Sequence, residues 1–145
     1  MTDKDDANSI IQSSEITEFY SAIDLGTNNC RILVAKPHNC GFSVVSSFSK
    51  IVRLGEGVEK QNLLSKKAMD RTISALSMCA QKMHNFNIIS SRNVATEACR
   101  KSSNSKEFFE RVQEETGLIF EIINSQEEAR LAVLGCQNLL DERKK

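Results

Sequence analysis

An apolar run that ends in a carboxylate and a glycine limits the folds open to this chain. The run spans residues 19–25, has Asp24 near its end, and is followed directly by Gly26. A second apolar run, residues 32–35, precedes residues 37–41, whose proline, asparagine and glycine are typical of a turn. We therefore predict two buried strands joined by a tight turn, with the Asp24 carboxylate at the end of the first strand.

The turn after the first run has the composition of an anion-binding loop. Gly26 is expected to permit close approach of the backbone and a conformation closed to residues with a Cβ. Successive backbone N–H groups in such a turn form a concavity that binds anions, and Thr27, Asn28 and Asn29 add side-chain donors. Because Asp24 cannot bind an anion directly, we expect it to hold a cation or a metal-bound water beside a phosphate. The alternative is an ordinary β-hairpin with an asparagine-rich turn.

The rest of the chain alternates between strand-like and helix-like patterns. Apolar residues recur at steps of three and four between residues 65 and 85, which predicts a helix there. Its buried face is expected to carry Met69, Ile73, Leu76, Ala80 and Met83. Further strands are predicted at residues 42–54, 88–96 and 119–123, and further helices at residues 104–116 and 125–140.

Residues with capping chemistry mark the ends of the later helices. Asn104 is expected to cap the second helix and Gly117 to stop it, and Ser125 is expected to cap the third. The element order is then β-β-β-α-β-α-β-α, which predicts an α/β fold with a mixed sheet flanked by helices. This is the element order of one actin-like, ribonuclease-H-like subdomain.

The charge balance excludes overall electrostatic attraction to a polyanion. Lysine and arginine together number 19, as do aspartate and glutamate, so we expect no nucleic-acid partner and no membrane association. No apolar stretch approaches the ~18 residues of a membrane span. Residues 1–18 are polar, acidic and aperiodic, which predicts a disordered tail that is not a signal peptide, followed by one domain at residues 19–145.

The five cysteines form no CxxC pair. Each lies in or beside an apolar pattern, so we expect small buried thiols in a cytoplasmic protein. His38 and His84 have no second histidine or cysteine at ligand spacing, so metal binding by histidine is not expected.

Four motifs that follow one another along the chain resemble those of one phosphatase family. They are Ser49–Gly57, Val94–Arg100, Glu121–Ile123 and Glu127–Leu131. From Phe19 to about Gly135, their spacing is similar to that of the exopolyphosphatase/guanosine pentaphosphate phosphohydrolase (Ppx/GppA) family. The resemblance implies removal of the terminal phosphate from inorganic polyphosphate or guanosine pentaphosphate, with Mg²⁺ as the cofactor.

The resemblance also implies roles for individual residues. Asp24 is placed at the metal, at the start of the family's first phosphate-binding loop. The implied phosphate-binding residues are Gly26, Thr27, Asn28, Asn29, Arg31 and Arg100. A planar guanidinium suits this task better than a lysine ammonium group. Glu128 matches the glutamate that orients or deprotonates the attacking water.

Glu128 has a second interpretation, as part of a helix cap. The segment Ser125-Gln126-Glu127-Glu128 has the Ser-x-x-Glu pattern of a capping box, in which the glutamate bonds the N–H of the cap. The family commonly has Ser-Gly before its Glu-Glu-Ala-Arg segment, whereas this chain has Asn124-Ser125-Gln126, and loss of the glycine would tighten the turn before Glu128. Arg130 is expected to pair with Glu127, three residues before it.

Phosphate in this family is bound between two lobes, and the second glycine-rich loop follows the helix that here reaches Leu140. The chain is thus expected to supply one lobe and to need a second lobe from a separate chain or a fused segment. It is also expected to be able to form homo-oligomers through the uncovered surface. Two other functions stay open. One is a non-catalytic remnant or anion-binding module of the same fold, and the other is a fragment of an actin-fold kinase or ATPase.

Overall fold

The computed structural model describes residues 15–143, with side chains described up to residue 135. The strands are β1 (Phe19–Leu25), β2 (Asn29–His38), β3 (Gly41–Ile51), β4 (Ile88–Ala95) and β5 (Glu121–Ile122). The helices are α1 (Val58–Gln61), α2 (Lys66–His84), α3 (Glu97–Lys101), α4 (Ser105–Thr116) and α5 (Ser125–Arg143). Most of the predicted tail lies outside the described residues, and residues 15–18 belong to no helix or strand.

The strands form one mixed sheet in the order β3-β2-β1-β4-β5. The first three are antiparallel neighbours, whereas β4 runs parallel to β1 and β5 runs parallel to β4. This confirms the predicted α/β fold of an actin-like subdomain. Because β1, β4 and β5 are parallel, their carboxyl ends meet at one edge of the sheet, which is where ligands usually bind in open α/β folds.

The core lies between one face of the sheet and helices α2 and α4. Ile23 and Leu25 of β1 are buried on this face, whereas Ala22 and Asp24 lie on the opposite, open face. Helix α4 contributes Phe108, which is completely buried. The face predicted for α2 is confirmed as buried or partly buried at Met69, Ile73, Leu76, Ala80 and Met83.

The sequence-based expectation does not match helices α1 and α3 or strands β3 and β5. Helices α1 and α3 were not predicted, because four and five residues are too few to show a helical period. Strand β3 ends at Ile51 and not at residue 54, since Arg53 adopts a left-handed φ of 51° that no strand continues. Strand β5 has two residues, because only Glu121 and Ile122 pair with β4.

The helix caps agree with the predictions in part. Gly117 ends α4 with a φ of 76°, as predicted. The amide of Asn104 does not cap α4 but bonds the N–H and the carbonyl of Leu64, at 2.8 and 3.0 Å. Asn104 thus occupies the predicted N-cap position of α4, but its side chain makes no capping bond, because it joins the start of α4 to the segment before α2.

Most of the cysteines whose side chains are described are buried. Cys30, Cys79 and Cys99 are buried, as predicted, but Cys40 is exposed in the turn between β2 and β3. Cys136 lies outside the described side chains.

Within residues 15–143, no helix is both long and apolar enough to cross a membrane.

Candidate functional site

The turn between β1 and β2 is closed by a hydrogen bond from the Gly26 N–H to the Asn29 carbonyl oxygen, at 2.9 Å. Gly26 is not in the left-handed region. A Cβ at this position would lie 3.5 Å from the Asn29 carbonyl oxygen and 4.0 Å from Thr96 Oγ1, which are ordinary contacts. The expectation that Gly26 adopts a conformation closed to other residues is therefore wrong.

The glycine on which this loop depends is Gly55. Its N–H donates to the Thr27 carbonyl oxygen at 3.0 Å. A Cβ on Gly55 would lie only 2.3 Å from Thr27 Cγ2, so any larger residue would displace Thr27 or the backbone beside it. From the sequence, Gly55 follows the strand predicted at residues 42–54 and lies within the Ser49–Gly57 motif, but no role in the loop was predicted for it.

A short turn after β3, residues 52–55, fixes the tip of the loop through backbone hydrogen bonds. The N–H groups of Val52 and Arg53 both donate to the Asn28 carbonyl oxygen, at 2.8 and 3.0 Å. Together with the bond from Gly55, they direct the Thr27 and Asn28 carbonyls toward residues 52–55. Two consecutive carbonyls of the loop are thereby fixed by backbone partners.

Asp24 and Arg31 lie side by side on the open face of the sheet. They are directly paired positions of β1 and β2, and both are exposed. They line a cleft of about 260 Å³ at the carboxyl edge. The lining consists of Asp24, Gly26, Thr27, Asn28, Asn29 and Arg31. The structure thus brings together every residue predicted for the first loop, and Arg31 with them.

The electrostatic surroundings of Asp24 make its carboxyl less acidic. Although the side chain reaches the surface, neighbouring atoms remove part of its water, and this desolvation raises its pKa above the usual 3.8. The Arg31 guanidinium lowers the pKa, and the negative charge of Glu128 raises it. Glu128 is therefore close enough to Asp24 for the two carboxylates to repel each other.

The start of α5 tests the capping interpretation of Glu128. The Asn124 side-chain oxygen Oδ1 accepts a hydrogen bond from the Glu127 N–H at 2.8 Å, and the Asn124 carbonyl accepts one from the Glu128 N–H at 3.0 Å. Asn124 is therefore the cap, and Ser125 is the first residue of the helix. The predicted Ser125 cap is wrong by one position, and with it the capping box that would have engaged Glu128.

Instead, the Glu128 carboxylate pairs with Arg100. Nη2 of Arg100 lies 3.1 Å from Oε2 of Glu128, and Nη1 donates to the Ile123 carbonyl oxygen at 2.7 Å. The Arg100 side chain is 23% exposed, and that of Glu128 is 47% exposed. Since Arg100 lies on α3, directly after β4, this pair joins the carboxyl ends of β4 and β5 to the first turn of α5.

Glu127 has a separate set of partners. Its carboxylate lies 3.2 Å from Arg92 of β4 and 2.6 Å from Arg130, so the predicted pair with Arg130 is confirmed. Hydrogen bonds from Arg130 and Arg92 lower the pKa of Glu127 to about 2. Glu127 therefore attaches α5 to the sheet, whereas the neighbouring Glu128 lies toward Asp24.

The donor set is compatible with a magnesium ion at Asp24. Within residues 15–135, no cluster of three or more histidine, cysteine or acidic side chains could enclose a metal ion. Mg²⁺ does not need such a cluster, because it is commonly held by one or two carboxylates together with water and substrate phosphates. Asp24, with Glu128 nearby and the anion loop beside it, fits this mode of binding.

Comparison with known proteins identifies the family. The model of the Ppx/GppA phosphatase family matches residues 33–145. The chain belongs to this family. The Ppx/GppA protein of Aquifex aeolicus is 30% identical over 81% of the chain, with a TM-score of 0.77. An exopolyphosphatase from Cytophaga hutchinsonii is 25% identical over 78% of the chain, with a TM-score of 0.75.

The predicted Ppx/GppA resemblance is thereby confirmed. This membership gives no support to a fragment of an actin-fold kinase or ATPase, which the sequence had left open. The chain spans 39% of the Aquifex protein and 36% of the Cytophaga protein. The activity of the whole relatives is therefore carried over to this Ppx/GppA chain only as a proposal.

Proposed function

We propose that this chain is part of a phosphohydrolase that removes the terminal phosphate from inorganic polyphosphate or guanosine pentaphosphate. The observation that carries the proposal is the placement of Asp24 and Glu128, which are distant in sequence, at one edge of the sheet beside Arg31 and Arg100. Two carboxylates and two guanidinium groups around an anion loop are suited to phosphoryl chemistry. The solved Cytophaga relative is described as an exopolyphosphatase.

The loop is proposed to bind the terminal phosphate. Its backbone N–H groups and the side chains of Thr27, Asn28 and Asn29 supply neutral donors, and Arg31 supplies a positive charge. Asp24 would hold Mg²⁺ in this site. When bound there, the ion neutralises part of the phosphate charge and so makes the phosphorus easier to attack.

Glu128 is proposed to orient the attacking water and to accept its proton. A general base needs a fixed position near the proton that it takes, and Arg100 provides this by bonding the Glu128 carboxylate. A guanidinium carries five N–H donors, so Arg100 can hold Glu128 and the Ile123 carbonyl and still offer donors to a phosphate oxygen. An in-line attack also requires groups on the other side of the phosphate. We propose that a second lobe supplies them, from the same polypeptide or from a separate chain.

The second candidate is a non-catalytic anion-binding module. The observation in its favour is that both terminal nitrogens of Arg100 are already bonded within the chain, to Glu128 and Ile123. Such an arrangement is compatible with phosphate binding by the loop alone. In this case Glu128 would stabilise the start of α5. If copies of the chain formed homo-oligomers, no active site would lie between them.

Phosphate release from polyphosphate and guanosine pentaphosphate, with Mg²⁺ present, separates the two candidates. The 145-residue chain is to be assayed alone and mixed with a polypeptide equivalent to the rest of the Aquifex protein. We expect the mixture to turn over at least about 100-fold faster than the chain alone, because catalysis falls steeply when reacting groups are not held from both sides.

In that mixture, Glu128→Gln is expected to lower kcat by about 10²- to 10⁴-fold, as for loss of a general base. The matched control is Glu115→Gln on α4, which removes a carboxylate paired with Arg111 far from the cleft and should leave kcat unchanged. Equal rates for the two variants would refute the role of Glu128. A complex that binds tripolyphosphate but releases no phosphate would favour the anion-binding module.

A further inference from the structure

The loop depends on a turn whose own conformation is unfavourable. Val52 and Arg53 hold the Asn28 carbonyl through their N–H groups. To do so, Arg53 adopts a φ of 51°, in a region that residues with a Cβ rarely occupy. Such a conformation persists only where the surrounding structure enforces it.

The side chain of Arg71 on α2 bonds this turn. Its Nε donates to the Val52 carbonyl at 3.0 Å, and its Nη2 donates to the Arg53 carbonyl at 3.3 Å and to the Glu56 carboxylate at 2.7 Å. The planar guanidinium therefore spans two consecutive carbonyls and one acid, which a lysine ammonium group cannot reproduce. Helix α2 is a firm support, because the neighbouring Thr72 is completely buried in the core.

A continuous set of hydrogen bonds thus leads from the core to the loop. Arg71 holds the carbonyls of Val52 and Arg53, and the N–H groups of the same two residues hold the carbonyl of Asn28. A shift of this turn would release the Asn28 carbonyl. The donors of the loop would then no longer be fixed around the bound anion.

We propose that Arg71 is a positioning residue for the phosphate-binding loop, acting through residues 52–55. It lies outside the residues that line the cleft, so its effect on ligands is transmitted by the backbone. The inference rests on the proposed function in one respect, since it takes phosphate to be the ligand of the loop. Its structural part, that Arg71 fixes the turn, can be measured without any ligand.

Amide hydrogen exchange on the 145-residue chain, followed by NMR, tests the structural part. Arg71→Ala and Arg71→Lys are expected to speed exchange at the Val52, Arg53 and Gly55 amides by about tenfold, the effect of losing one charge-assisted hydrogen bond. The matched control is Arg111→Ala, which also removes an arginine paired with two acids, Asp70 of α2 and Glu115. It should leave these three amides unchanged.

Calorimetric titration with tripolyphosphate and Mg²⁺ tests the consequence for binding. We expect Kd to rise about tenfold in both Arg71 variants and to change less than about twofold in Arg111→Ala. If Arg71→Ala does not fold, Arg71→Lys decides the matter, because it keeps the charge and loses only the fork of donors.

The inference is overturned if Arg71→Lys matches the wild type at the three amides, or if Arg111→Ala changes them equally. It is also overturned if exchange accelerates in Arg71→Lys while Kd stays constant. Wild-type protein that binds no tripolyphosphate would refute the proposed function instead, and the exchange comparison would still decide whether Arg71 fixes the turn.

Discussion

Asp24 lies on the open face of β1, with Arg31 at the paired position of β2. Desolvation raises its pKa above 3.8, Arg31 opposes the change, and Glu128 adds to it. A carboxyl whose pKa is higher in the folded chain than in the unfolded chain favours folding when it is protonated. That contribution is complete below pH 3.8 and is lost as the pH rises through the higher folded value, so at neutral pH the ionised Asp24 opposes folding.

We therefore expect Asp24→Asn to raise Tm slightly at pH 7, by an amount typical of surface substitutions, while it abolishes any Mg²⁺-dependent phosphate binding. The gain should shrink as the pH is lowered toward 4, where the wild-type carboxyl also becomes neutral. Thermal melts followed by circular dichroism at several pH values measure this. Asp70→Asn is the control, because Asp70 is paired with Arg111 and its loss should bring no gain. A lower Tm for Asp24→Asn at pH 7 would contradict the expectation.

At the residue scale, the sequence predicted those site residues whose chemistry is local. Asp24 and the turn after it were recognisable because a strand end, a glycine and three polar residues are consecutive. Gly55 was not recognisable, since its importance comes from a contact with Thr27 that only the folded chain creates. Asn124 and Ser125 are both good capping residues, and the sequence could not decide which of them the chain would use.

Among the helices, the long α2 could be predicted from the sequence, whereas the short α1 and α3 could not. Helix α2 has 19 residues and was predicted to within about one residue at each end, because its apolar period repeats over five turns. The short helices α1 and α3 carry no such repeat. They form where the chain turns back at the carboxyl edge, so their stability comes from tertiary contacts and not from their own pattern.

The first turn of α5 is attached to the sheet by charged groups. Glu127 binds Arg92 of β4 and Arg130 of its own helix, and Arg92 also binds Glu121 of β5 at 2.7 Å. The hydrogen bonds from Arg130 and Arg92 lower the pKa of Glu127 from 4.5 to about 2. A carboxyl with a depressed folded pKa stabilises the fold above its unfolded pKa, and this stabilisation is lost as the pH falls through the folded value. The relevant range is therefore between about pH 4.5 and pH 2.

We expect the start of α5 to loosen over this pH range before the core unfolds. Backbone ¹³C chemical shifts of residues 125–131, measured between pH 5 and pH 2, should move toward unfolded values in the wild type. Glu127→Gln should remove this pH dependence, because the titrating group is gone. Glu115→Gln, which removes a carboxylate of α4, should leave it in place. A transition that persists unchanged in Glu127→Gln would assign it to another group.

The whole molecule has no net charge at neutral pH, so a polyanion is not attracted to it by the overall field. Any affinity for phosphate chains must come from the local arrangement at the carboxyl edge, where Asp24 and Arg31 line the cleft at the loop and Glu128 pairs with Arg100. The chain spans 39% of the Aquifex protein. The residues proposed to bind phosphate on this portion contact one side of the ligand. Binding and turnover are therefore separable properties of this chain.

A ligand that binds the folded chain raises its stability by mass action. At a concentration 100 times Kd, tripolyphosphate with Mg²⁺ should add about 2.7 kcal/mol, which for a domain of this size is a Tm increase of roughly 10 °C. Sodium chloride at equal ionic strength should not reproduce the increase, and Asp24→Asn should lose it. An equal shift with salt alone, or in Asp24→Asn, would mean that the anion is not bound at the loop beside Asp24. Calorimetric melts across a ligand series measure the effect without requiring the chain to be catalytically active.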